Sequence, residues 1–198
     1  MTGWIHVAFG VAAITWVMWL FLAGRKHGAG GSRLWHDGPT MTTYLVGAWV
    51  LWPLGWAWAL AYLLVVAACS WWFTTHVCPY CNYHGRKDGP SIYCVMASRL
   101  TPREDPARFA AQFRRHLPVM ATAWFLPVIG GGWLIWRAWR AGGNAWAMTL
   151  WSLGVFAVVA FYIMPTGSKS LCRECANRDQ CPHAKQVSRS DDKALPKG

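Results

Sequence analysis

The stretch WPLGWAWALAYLLVVAACSWWFTTHVCPYC, Trp52–Cys81, decides the class of this chain. Pro53–Phe73 carries no charge, and its 21 residues make about 31 Å of helix, the depth of a bilayer's hydrocarbon core. Trp52, Trp56 and Trp58 mark one end of the run and Trp71 and Trp72 the other, as aromatic side chains do at the two membrane interfaces. Pro53 falls in the first turn of such a helix, where its missing N–H leaves no bond unmade. Two cysteines, Cys78 and Cys81, follow within ten residues of the run's end.

Three further uncharged runs are long enough to span: Thr2–Gly24, Leu117–Trp136 and Ala145–Met164. With 55% hydrophobic residues and 16 tryptophans, the composition excludes an ordinary soluble domain. The uncharged stretch around Trp52–Cys81 extends from Gly38 to Gly85, longer than one span needs. The expected fold is an all-α integral membrane protein, a bundle of about four transmembrane helices with a small Cys-rich, metal-clamped cytoplasmic module. Residues 1–73 hold the first two spans and a short connecting loop. Residues 74–116 form a Cys-rich cytoplasmic loop with a short interfacial helix. Residues 117–164 hold the third and fourth spans, and 165–198 a Cys-rich basic tail. Met41–Trp52 is then an interfacial approach segment. The alternative is five spans, with a tight turn at Pro53-Leu54-Gly55. Met1–His6 contains no Lys or Arg, so the first span reads as an uncleaved anchor rather than a signal peptide.

All 19 Lys and Arg lie outside these runs. The loop 74–116 has seven and the tail seven, against three between the first two spans and Arg137 and Arg140 between the last two. With four spans the split is 14 to 5, and with five it is 17 to 2. Cytoplasmic segments carry the Lys/Arg excess, so both arrangements put loop and tail in the cytoplasm, as in a multi-pass protein of the bacterial inner membrane. The net charge of +11 is thus read as topology and contact with anionic lipid, not as a nucleic-acid interface, for which no module is visible.

Six of the seven cysteines form two clusters, Cys78-x2-Cys81-x12-Cys94 and Cys172-x2-Cys175-x5-Cys181, with His84 and His183 beside them. Cys69 lies inside an apolar run and reads as a small core residue. Disulfides suit an oxidising compartment and conflict with a cytoplasmic face. CPYC is also the sequence at the active site of glutaredoxins, but the βαβ context of that fold is missing. It resembles one knuckle of a zinc ribbon too, with Asn82 where that knuckle usually has Gly. Two thiolates on a tight turn make half of a tetrahedral zinc site. Cys78, Cys81, Cys172 and Cys175 form one candidate set, and Cys94, Cys181, His84 and His183 a second; alternatively each cluster closes a site of three cysteines and its own histidine. An iron–sulfur cluster is the other metal reading, although the ferredoxin run C-x2-C-x2-C-x3-C-P is absent. Imidazole among the donors favours zinc.

Several features bound the function. Thr101–Pro118 reads as a short interfacial helix, with Asp105 as N-cap, Pro106 at the first position and Phe109, Phe113 and Leu117 on one face. Pro127 and Gly130-Gly131-Gly132 break the third span's pattern, which fits a kink or close helix packing. No Asp, Glu, Lys or Arg lies inside a span, against an ion or proton pathway. His6, His76 and His116 are expected near span ends on the cysteine side, as interfacial residues rather than haem ligands. No catalytic constellation is visible, so the expected function is non-enzymatic: a membrane scaffold or accessory subunit. Its metal module meets a protein partner at the cytoplasmic face or other membrane subunits. A membrane electron-transfer subunit with an iron–sulfur centre is the alternative, and a metal-handling or thiol-redox membrane protein a third class. Reporter fusions after Asp88 and at Gly198 should both read cytoplasmic; an external reading at either site removes the redox premise for metal.

Overall fold

The computed structural model describes residues 2–27, 34–86, 91–142 and 145–165, with Asp179 alone from the tail. The elements are α1 (Thr2–His27), α2 (Leu34–Leu51), α3 (Trp56–His76), α4 (Ile92–Leu100), α5 (Phe109–Arg140) and α6 (Ala145–Ala157), which runs on as a π-helix over Val158–Ile163. No strand occurs among the described residues. Four helical stretches are long and apolar enough to cross a membrane: Trp4–Ala23, Trp56–Tyr80, Pro106–Arg140 and Trp146–Ile163. Their outer faces expose large apolar side chains such as Trp16, Leu64, Ile129 and Phe161, suited to lipid contact.

The main departure from the expected organisation is α2. Met41–Trp52 is no interfacial approach segment. It belongs to an 18-residue helix that touches α1, α3, α5 and α6. Val46 and Val50 pack with Val17, Phe21, Phe156 and Val159. Tyr44, Ala48 and Leu51, on its other side, pack with Tyr62, Val66, Cys69 and Ala123. Of its described side chains only Met41 and Leu45 are exposed. A helix enclosed by protein does not need the hydropathy of one facing lipid, which is why Asp37, Thr42 and Thr43 are tolerated here. Thr43 Oγ1 donates to the Pro39 carbonyl at 2.9 Å, keeping its hydroxyl satisfied inside the bundle.

The chain reverses between α2 and α3 through a single 3-10 turn, Trp52–Leu54, whose Gly55 adopts φ +118°. This is the tight turn of the five-helix alternative. It also moves Pro53 out of α3, which starts at Trp56.

The reversal places the two ends of the bundle. At one end Asp37, near the start of α2, accepts from the Ile92 amide at the start of α4 (2.8 Å). At the other, Trp49 Nε1 donates to His6 Nδ1 (2.9 Å) and Trp151 Nε1 to the His6 carbonyl (3.2 Å). The N-terminus therefore lies opposite the cysteine-bearing loop, and His6 is not on the cysteine side as expected.

The α5 helix corrects a second expectation. Asp105 does cap the segment, accepting from the Ala107 amide at 3.0 Å, and Pro106 opens it. The interfacial helix is not separate, however. Pro106–Arg140 is continuous through Pro118 and Pro127, and its first turns project beyond the apolar run.

The glycines set the close approach of α2 and α5. A Cβ at Gly47 would lie 2.6 Å from Tyr62 Oη and 2.9 Å from Pro127 Cγ. One at Gly131 would lie 2.9 Å from Val50 Cγ1, whereas one at Gly132 meets open space. Tyr62 Oη donates to the Ala123 carbonyl (3.0 Å), so pushing it aside also costs a buried hydrogen bond.

Two outcomes are expected. Gly47→Ala and Gly131→Ala should each destabilise the bundle by about 1–3 kcal/mol in thermal unfolding, as overpacked cores do, while Gly132→Ala should not. A label ahead of Thr2 should read on the opposite side of the membrane from one at Asp88.

Candidate metal-binding face

The α3 helix ends at His76 and turns directly into the first cysteine pair. Cys78–Tyr80 is a 3-10 turn with Pro79 inside it, closed by the Cys81 amide donating to the Cys78 carbonyl at 3.0 Å. The Tyr83 amide donates to Cys81 Sγ at 3.4 Å, and the His84 amide to the Cys81 carbonyl at 2.9 Å. Gly85, at φ +76°, makes the left-handed step that ends the turn. Both thiols are free of disulfides. A backbone N–H aimed at sulfur favours the thiolate form that metals bind.

The turn is braced from three sides. Beneath it Val77, Cys81 and Phe109 are buried together, with Phe73, Tyr80, Tyr83 and Phe113 packed against them. This small core is built from the end of α3 and the start of α5, so the loop has more apolar support than its composition promised. From the far side of the loop, the Glu104 amide donates to the Pro79 carbonyl at 3.0 Å. The third support is α4, which packs on both α3 and the turn. Ser91 caps α4 by accepting from the Tyr93 amide (3.2 Å), while Asp37 satisfies the Ile92 amide. Burial pushes the Tyr93 hydroxyl above its ordinary range, so it stays protonated.

The expected ligands fare differently. Cys78 and Cys81 sit together on one turn. Cys94 occupies the third position of α4. His84 is buried, and its Nε2 lies 3.1 Å from the Thr101 carbonyl. With a proton on Nε2 that bond leaves Nδ1 as the ligating atom, the usual orientation device for a metal-bound histidine. Cys172, Cys175, Cys181 and His183 lie outside the described residues. Among the described residues no three His, Cys, Asp or Glu side chains come together as a metal site. Cys69 is buried in the core between α2 and α3.

A second cluster adjoins the turn and was not anticipated as a unit. The Trp72 ring stacks on His76, centroids 4.0 Å apart, and Trp72 Nε1 donates to His116 Nδ1 at 3.2 Å. The two imidazoles stand 5.4 Å apart across the α3–α5 junction. The spacing of Trp72 and His76, one helical turn, was the available signal. Their pairing with His116 required knowing which faces of α3 and α5 meet. Compared with protein-family models, curated proteins and solved structures, the chain matches none.

Proposed function

We propose that this chain is a non-enzymatic, multi-pass membrane scaffold or accessory subunit of the bacterial inner membrane. Its cytoplasmic face binds one structural zinc ion through thiolates shared between loop and tail. The observation that carries this reading is the turn at Cys78–Cys81. It is rigidly held by buried Val77 and Phe109 and by the Glu104–Pro79 bond, yet by itself it supplies only two of four tetrahedral ligands. Cys172 and Cys175, with the same spacing and a similar distance beyond a span, are the complementary pair. Cys94, Cys181, His84 and His183 form a second donor set of the same chemistry.

The donor set fits zinc: soft thiolates with imidazole, one sulfur already accepting an amide N–H. When bound, the metal supplies folding free energy that ties the tail to the loop. Around it Arg99, Arg103, Arg108 and Arg114 project exposed, which suits the acidic surface of a docked protein partner.

The test compares Cys78→Ser, Cys172→Ser and the double variant by zinc per chain and protease sensitivity of the tail. Each single substitution should release the zinc and expose the tail. The double should be little worse than either single, because additivity is expected only of independent sites. Full protection of the tail in Cys78→Ser sinks the shared clamp. Visible absorbance in the purified protein would assign the thiolates to an iron–sulfur centre instead.

A further inference from the structure

Beside the cysteine turn lies a cleft of about 480 Å³, within the size range of small-molecule sites. Its walls come from the end of α3, the turn itself, the Thr101–Glu104 segment that follows α4, and the first turns of α5. The chemistry is carried by Glu104, Arg115, His76, His116 and Gln112. Neither imidazole is used up. His116 Nδ1 accepts from the Trp72 indole, which only donates, so the neutral ring carries its proton on Nε2 and offers a donor. His76 Nδ1 lies 2.9 Å from the Trp72 carbonyl and 2.8 Å from Thr75 Oγ1. Glu104 and Arg115 bring opposite charges to the same cleft, and among the described residues no ion pair joins them.

The depth of the cleft identifies the kind of ligand. Trp72 belongs to the tryptophan pair at the end of α3, and His116 immediately precedes the apolar run that begins at Leu117. Taking the apolar helices as membrane-spanning, this is the level of lipid headgroups. One wall offers N–H donors for a phosphate: the Arg115 guanidinium, His116 Nε2 and the Gln112 amide. The Glu104 carboxylate offers an acceptor for an ammonium group. We propose that the cleft binds an aminoalkyl phosphate ester, the phosphoethanolamine headgroup, in contact with the bilayer. Arg115 holds the phosphate by charge-assisted hydrogen bonds and Glu104 holds the amine. A lipid so bound would seat the start of α5 against the membrane beside the metal turn.

Native mass spectrometry of the purified full chain, titrated with phosphatidylethanolamine, phosphatidylglycerol and soluble phosphoethanolamine, tests this. Phosphatidylethanolamine should bind about tenfold more tightly than phosphatidylglycerol. Arg115→Gln should weaken both lipids by about tenfold, whereas Glu104→Gln should abolish only the preference between them. Both side chains are exposed, and zinc per chain measured on the same samples reports whether the neighbouring turn is intact. Binding of phosphatidylethanolamine without soluble phosphoethanolamine places the ligand in the membrane; binding of both identifies the headgroup as sufficient. Equal affinity of the native chain for the two lipids overturns the proposal. So does unchanged phosphatidylethanolamine binding in both variants.

Discussion

The packing of α2 among four apolar helices is the constraint on which the rest depends. Its valines face α1 and α6, and its tyrosine, alanine and leucine face α3 and α5, so one helix nucleates both halves of the core. Between hydrocarbon-facing helices there is little hydrophobic driving force, because lipid is as apolar as leucine. Close van der Waals contact has to supply the association. Gly47 against Tyr62 and Pro127, Gly131 against Val50, and Gly130 against Leu51 provide that contact where backbones approach most nearly. The Pro/Gly segment of α5 is thus where that helix packs closely against α2.

The same helix also connects the bundle to the cysteine face. Asp37 leaves the start of α2 to satisfy the first amide of α4, and α4 packs against the Cys78–Tyr80 turn. The turn in turn stands on Phe109 and Phe113 at the start of α5. A displacement of α2 would therefore reach the cysteines through two short routes of packed atoms. The turn is thus tied into the packing of the bundle at α3, α4 and α5.

Much of this was legible in the sequence, and the failures share one cause. The apolar runs, the tryptophan ends of α3, the Asp105–Pro106 helix start and the core position of Cys69 follow from local composition and capping chemistry. The α2 helix was misplaced because every span was weighed as though it faced lipid. Its Asp37, Thr42 and Thr43 count against a lipid-facing helix and not at all against one surrounded by protein. The position of His6 was lost with it, since an extra reversal moves the N-terminus to the other end. The α4 helix escaped notice because nine residues carry too little periodicity; Ser91 caps it locally, and Asp37, 55 residues away, satisfies its first amide. At the candidate site the cysteine spacing was readable, but the brace of Glu104 on Pro79 and the Trp72–His116 bond are long-range facts.

The two sites on this face differ in what they require of the membrane. The Cys78–Cys81 turn is carried by contacts within the protein, and under the proposed reading its remaining ligands are soft donors from the same chain. The cleft beside it offers hard, charged groups of both signs, Glu104 and Arg115. A thiolate metal site and a zwitterion site of this kind do not compete for ligands, because sulfur has little affinity for phosphate or ammonium groups. They share structure instead: Pro79 and Tyr80 form part of the turn and part of the cleft wall. Anything that orders the turn also fixes that wall. If both proposed ligands bind, reciprocity of linked equilibria requires any coupling between them to be the same in both directions.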